Sequence, residues 1–502
     1  MSQDRIGSQE IVARPSGWRR MMPSWPLIAA IAAVLMVAYR GKLLLGDPDT
    51  YLHIAAGNWM MAHRALPTAD PFSWSLPGSH WVVHEWLAEL ALAAIYDLLG
   101  WAGLAYATAL CFALSIALMT RAVLRQLEPL VGMLIVLLIL LLLEPHLLAR
   151  AHVLALPALV AWCAALFAAR DAGRGPPWPV LPVMVLWVNL HGGYMFGIAL
   201  AGYLGAEAVL TPGTGSGRMA EARRWGGFVL ASLGCALLNA NGLEGVLEPF
   251  RILSMPTLQS TFVEWQSHQF HGLDAVELWL LGTILLGFTT GARLPPTRLI
   301  LLLGLFHMTL QHLRHEDLLA VVAPLALIAP LAPRLNAITK PGGGSSVSRM
   351  FDVPPPRAAW PAVALTFGFL ALYGWSVVRQ PIDRENSVVT PSAALDAGRQ
   401  AGITGRVFNS EHFGGYLIFK GVPVYIDGRM ELYGDDYLKR YLPLATGKDA
   451  AALTDLLDRD HVTWTILAPE EGAVQVMDAQ PGWRRIYADA FAVVHARTDS
   501  PR

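Results

Sequence analysis

Apolar residues along the 502-residue chain come in long blocks rather than at the spacing of one-sided helices or strands. The blocks fall near 24–45, 101–120, 129–148, 153–169, 178–192, 193–210, 226–240, 273–291, 298–311, 317–333 and 358–378. A helix needs about 20 residues to cross the hydrocarbon of a bilayer, so blocks of this size predict membrane spans. Several are short, and 178–210 reads either as two spans or as one broken helix, because Asn189-Leu190-His191-Gly192-Gly193 interrupts it. Such polar residues line a protein-enclosed cavity at membrane depth, or else mark a tight external turn. The pattern predicts a polytopic α-helical membrane protein of about eleven transmembrane helices, over 24–378.

Two stretches break the pattern. The first, 46–100, is too polar for lipid and reads as a large loop between the first two spans. Within it, HEWLAELALAAIYDLLG reads as an amphipathic helix at the interface, with Glu85, Glu89 and Asp97 in one polar sector. The second begins near Pro381, where charge becomes ordinary and short helix-like and strand-like segments alternate. SAALDAGRQAG predicts a helix ending at Gly402, RVFN a strand, and GGYLIFKG a helix or turn. VPVYID predicts a second strand, AAALTDLLDRD an amphipathic helix, VTWTILA a third strand, and WRRIYADAFAVVHAR a terminal hairpin. These make 381–502 a small α/β domain.

Charge gives the threading a direction. Only 15% of residues are charged, against about 25% in ordinary soluble domains, which agrees with a chain mostly in lipid. With the N-terminus inside, the presumed cytoplasmic segments hold Arg14, Arg19, Arg20, Arg121, Arg125, Arg170, Arg174, Arg218, Arg223, Arg224 and most of the remaining arginines, as the positive-inside rule requires. Histidine runs the other way: His53, His63, His80, His84, His146, His152, His191, His268, His271, His312 and His315 fall on the external side. The orientation expected is therefore N-terminus inside and C-terminal domain outside. The polar lead 1–23 is expected in the cytoplasm, followed by an uncleaved first span, since no small-x-small site follows the apolar run. The net charge of −1 gives no sign of a nucleic-acid partner. Cys111, Cys163 and Cys235 all sit in apolar blocks and imply no disulfide framework.

The candidate chemistry gathers on the external side. Asp47-Pro48-Asp49 places two carboxylates in a tight turn, because Pro48 fixes its own φ and disfavours helix at Asp47. Asp49 is then expected to cap the helix beginning at Thr50, with His53 one turn on. This reads as a carboxylate base, as two carboxylates and an imidazole holding a divalent ion, or as a capped turn. His84 and Glu85 open the next helix, and His191 lies at the break in 178–210. Arg150, with His146 and His152, and Arg314, with His312 and His315, are cationic clusters suited to a phosphate or to the loop acids. The 241–272 loop, with Glu264, Trp265, His268 and His271, is long enough to fold over the membrane surface. In the C-terminal domain, Gly414-Gly415 predicts a close backbone approach, and Asp427-Gly428-Arg429 a turn, with Arg429 and Tyr433 as candidate acceptor contacts.

The pattern resembles the GT-C glycosyltransferases, multi-span enzymes that use polyprenyl-phosphate-linked sugars. The likeness rests on the cytoplasmic N-terminus, the long first external loop opening with an acidic motif, and the external α/β domain after the spans. The first loop also resembles bacterial membrane proteins with D-x-D-x-x-x-H followed by P-x-x-D-P-F-S, here Asp47–His53 and Pro67–Ser73. Segments like WVNLHGG and IDGRMELYG recur in them. The W-W-D-Y-G motif of oligosaccharyltransferase catalytic subunits is absent, with His412 to Tyr416 in the nearest place. The resemblance implies an integral protein of a bacterial inner membrane that transfers a sugar from a polyprenyl-phosphate donor to a glycan, lipid or protein acceptor. It implies Asp47 or Asp49 as the base. His53, His84, Glu85, Arg150, His191, Arg314, His315 and Arg429 are the residues expected around the substrates. The candidate cofactor is a divalent cation, Mg2+ or Mn2+, held if at all by Asp49 and His53. The rival readings are a polymerase or ligase of lipid-linked glycans, a transporter with an external sensor domain, and a non-catalytic scaffold. A transporter would place ionisable groups near the bilayer midplane and show repeat symmetry; neither is evident here.

Overall fold

The computed structural model describes residues 22–212, 217–270, 272–291, 293–339 and 356–498. The expected cytoplasmic lead, apart from residues 22–23, lies outside them, as do His271 and nearly all of the 339–357 linker.

Each apolar block forms a helix: Trp25–Tyr39, Trp86–Val123, Pro129–Leu143, Ala151–Asp171, Leu181–Leu190, Tyr194–Leu210, Arg218–Ala236, Ala275–Thr290, Pro296–Gln311, Glu316–Thr339 and Pro356–Val378. Among the described residues, five helical stretches are long and apolar enough to cross a bilayer, and four more are apolar but shorter. The 178–210 block is two helices, parted at His191-Gly192-Gly193.

The helix Trp86–Val123 is the hub, packed on Trp25–Tyr39, on Ala151–Asp171 and on a first-loop helix, Asp49–His63. Phe112, Ile116, Met119 and Val123 are fully buried along it. It breaks at Gly100, whose φ of 64° is left-handed and suits a residue without Cβ. Upstream of that break it lies against the first-loop helix so closely that a Cβ on Gly57 would meet the Glu89 carbonyl at 2.3 Å. The helical segment expected from sequence is therefore present, with one correction. Glu89 does not join Asp97 in a solvated sector; it is buried against His53 while Asp97 is exposed.

Neighbouring helix ends alternate. The helix Ala151–Asp171 starts beside the first loop at Arg150, which pairs with Asp47 and Asp49. It ends at Asp171, which pairs with Arg298 on the helix Pro296–Gln311. At 1.5 Å per residue, its 21 residues separate these groups by about 31 Å. Arg298 is 3% exposed and also bonds Glu207, a buried ion cluster that ties three helices together at the end remote from the first loop.

The C-terminal part carries a four-stranded sheet: β1 (Arg406–Asn409), β2 (Val462–Leu467), β3 (Trp483–Ala488) and β4 (Val493–Arg497), in the order β1-β2-β4-β3. β1 and β2 are parallel, and the expected terminal hairpin is the antiparallel pair β3–β4. VPVYID is not a strand of this sheet. Val424 pairs instead with Ser73 of the first loop. Trp74 N–H donates to the Val424 carbonyl at 3.0 Å, and Trp74 Nε1 to the Val407 carbonyl at 2.8 Å. The segment alternates like a strand because it satisfies its backbone against the loop. Sequence also missed the helix Met430–Ala445, although Tyr433, Tyr437 and Tyr441, all buried, recur four residues apart.

Candidate active site

The Asp47-Pro48-Asp49 turn is closed by Asp47, not Asp49. Asp47 Oδ1 accepts the Asp49 N–H at 2.7 Å, and Asp49 is itself the first residue of the helix Asp49–His63. The expectation that Asp49 caps the helix fails because the Asp47 carboxylate is already placed to do so. The Asp49 carboxylate is thereby left for Arg150. Arg150 meets both acids: its Nη1 donates to Asp47 Oδ2 at 3.2 Å and its Nη2 to Asp49 Oδ2 at 2.6 Å. Thr50 Oγ1 donates to the Ala149 carbonyl, which seats the residue just before Arg150 on the same helix start. Glu264, from the 241–272 loop, approaches Arg150 at 3.8 Å.

The electrostatics separate these groups. Burial opposes charge on Arg150, but Asp47, Asp49 and Glu264 hold it well above its ordinary value. Burial raises the Asp49 carboxyl, Arg150 offsets part of that and Asp47 adds to it, which leaves it at about 7. A carboxyl with that value titrates where a general base works best. The Asp49 side chain keeps 19% exposure against 8% for Asp47.

The C-terminal domain presses directly on this turn. A Cβ on Gly428 would lie 2.2 Å from Asp49 Oδ1, and one on Gly415 2.4 Å from the Pro48 carbonyl oxygen. The close approach predicted at Gly414-Gly415 is therefore made onto the first loop and, through Gly414, onto Asp427. Sequence missed Glu411 as part of the neighbourhood. Burial, with Asp49, Asp427 and Asp47 nearby, pushes its carboxyl up to about 8.

Beside the acids lies a second cluster around Glu85. His53 Nε2, His84 Nε2 and His191 Nε2 stand 3.9, 3.8 and 3.6 Å from its carboxylate oxygens. Burial opposes charge on Glu85, yet His191, His84, His53 and Arg150 pull it down to about 2. His53 is held by Glu89 at 3.5 Å. Burial works against its charge, but the Glu89 hydrogen bond, Glu85 and Asp49 raise it to about 9. Asn189, also in the helix break, accepts from Trp86 Nε1 at 2.8 Å, which fixes the break against the start of the hub helix.

Arg314 and His315 part company. The Arg314 guanidinium stacks over Trp265 at 4.1 Å and has no hydrogen-bond or ion-pair partner among the described residues. Its electrostatic neighbours are Glu264, Arg150 and Glu85, so it faces the same centre. His315 does not join it; its Nδ1 bonds the Met308 carbonyl and its ring packs on His312. Arg429 is 3% exposed. It bonds Asp427 through Nε and Nη2, bonds the first-loop Asp70 through Nη1 at 2.6 Å, and lies over the Trp81 ring. Tyr433 donates to the same Asp427 at 2.9 Å. Both residues expected at an acceptor edge are thus enclosed in a lock between the domain and the loop.

The Asp49–His53 pair does not fit a divalent ion. Arg150 occupies Asp49 Oδ2, and His53 Nδ1 is turned to Glu89 at 3.5 Å. Among the described residues no group of three or more His, Cys, Asp or Glu is arranged to hold a metal.

A helical bundle, a large first loop and a C-terminal α/β part locked onto it make up the architecture expected from sequence. Among solved structures, the apo oligosaccharyltransferase of Archaeoglobus fulgidus superposes with a TM-score of 0.52 at 11% identity, over 95% of this chain and 75% of that one. At that identity the superposition shows a shared fold alone. ArnT from Cupriavidus metallidurans, bound to undecaprenyl phosphate, is 15% identical over 97% of this chain and 99% of its own, at a TM-score of 0.48. No family model and no curated protein matches the sequence.

Proposed function

We propose that the chain is a GT-C-type membrane glycosyltransferase that transfers a sugar from a polyprenyl-phosphate donor to an extracytoplasmic acceptor, with Asp49 as base. The observation that carries this is the Asp47–Arg150–Asp49 centre, assembled from two helix starts at one end of the bundle and closed by Gly428 of the C-terminal domain. An acceptor hydroxyl attacks the anomeric carbon as the bond to the phosphate oxygen breaks. Asp49 takes the hydroxyl proton, and the departing phosphate keeps the electron pair. Asp49 suits the task because its pKa near 7 leaves about half of it ionised at neutral pH and makes that form basic enough to accept a proton. Charge develops on the phosphate, where preorganised cations stabilise it best. Arg314, with no ion-pair partner among the described residues, supplies one, and Arg150 stands beside it. His53, charged and close to Glu85 and Asp49, keeps the acids in place.

In this reading the apolar helices form the membrane-embedded part, the 381–502 part is an external domain, and the site lies at the outer face of a bacterial inner membrane. The arginine-rich segments on one side and the histidines on the other support that orientation. Mass spectrometry of the purified protein tests the donor class. A bound polyprenyl-phosphate species is expected, depleted in Arg314→Ala; ordinary phospholipid alone, unchanged by that variant, contradicts the proposal.

A further inference from the structure

A cavity of about 340 Å³ opens between the C-terminal domain and the 241–272 loop. Its size is within the range of small-molecule sites, about 300–1,000 Å³. Glu411, Glu470 and Glu471 line it, with Phe262 and Tyr441 as aromatic walls. None of its lining residues is Lys or Arg. Glu411 has no side-chain hydrogen bond or ion pair among the described residues; its backbone N–H donates to Tyr441 Oη at 3.0 Å. Glu471 is held in place by Ser410 Oγ at 2.6 Å. Burial and the nearby acids push Glu411 up to about 8, and burial pushes Glu471 up to about 7. The basic group in the lining, the His412 imidazole, is lowered by burial, so carboxyls crowded in this way are compensated when a ligand brings positive charge.

We propose that this cavity binds a ligand through a protonated primary amine, held by the Glu411 and Glu471 carboxylates against the rings of Phe262 and Tyr441. An ammonium donates up to three hydrogen bonds and is attracted to aromatic faces, so this lining satisfies it on both counts. Because Glu411 adjoins Asp49 and Asp47, such a ligand is the acceptor of the proposed transfer, and only that assignment rests on the function given above. Apolar Leu438, Leu442 and Ala445 complete the wall and favour an amine carried on a partly apolar body.

Binding is testable without turnover. Equilibrium dialysis of the full chain in detergent compares labelled D-glucosamine with D-glucose, which lacks the charge and is otherwise nearly isosteric. A charge-assisted hydrogen bond is worth about 1.5–3 kcal/mol, so glucosamine is expected to bind at least roughly tenfold more tightly. The preference should vanish in a Glu411→Gln/Glu471→Gln double variant and in Ala445→Trp, which fills the cavity. It should survive in Asp49→Asn, whose loss of transfer would concern the proposed reaction alone. Equal binding of the two sugars by the unaltered protein, binding of neither, or a preference that persists in both cavity variants overturns the proposal.

Discussion

Asp49 concentrates the chemistry at the scale of single residues. Its carboxyl is raised to about 7, so it is protonated below that pH and a base above it. Transfer is therefore expected to rise with pH through about 7, a limb visible in initial rates of donor consumption. Gly428 makes the position of that carboxylate possible. Gly428→Ala brings a Cβ against Asp49 Oδ1 and must displace it. Misplacing a reacting group by about 1 Å costs on the order of a hundredfold in rate, so this variant should lose turnover while keeping bound lipid. Unchanged turnover in Gly428→Ala would show that the carboxylate is not held where the reaction needs it. The turn itself was legible in the sequence because Pro48 acts locally. Gly428 and Glu411 were not, since both reach the acids across more than 300 residues and no periodicity records such a meeting.

At the scale of elements, the lock between loop and domain explains what propensity missed. VPVYID alternates as a strand should, but its partner is Phe72–Trp74, and pairing partners that are distant in sequence leave no mark on alternation. Arg429 fastens the same joint, buried between Asp427 and Asp70. Removing one partner of a buried ion pair leaves an uncompensated charge and costs about 3–5 kcal/mol. Arg429→Met, which strands both carboxylates, should lower the thermal unfolding midpoint of the whole protein markedly. A midpoint unchanged by Arg429→Met would mean that the joint contributes nothing to stability. The strands RVFN and VTWTIL, by contrast, were readable because short apolar runs between turn residues are local signals.

At the scale of the whole molecule, hydropathy located every apolar helix, since burial in lipid demands continuous apolar length whatever the tertiary contacts. Charge gives the orientation that the account proposes. In a background without Cys111, Cys163 and Cys235, a membrane-impermeant thiol reagent should label Asp436→Cys in intact cells, its side chain being 89% exposed. Arg174→Cys, exposed after the helix that begins at Arg150, should react only after permeabilisation. The reverse pattern would invert the orientation and put the acid centre in the cytoplasm. What hydropathy did not disclose is how tightly the C-terminal part completes the centre, since glycines at 415 and 428 carry no hydropathic signature. The central claim is tested most directly by release of free polyprenyl phosphate from labelled polyprenyl-phosphate sugars in membranes bearing either the unaltered chain or Asp49→Asn. The account predicts release by the unaltered chain that falls by about 10²–10⁴-fold in the variant. Equal release by the two, or none by the unaltered chain with any such donor, would contradict it.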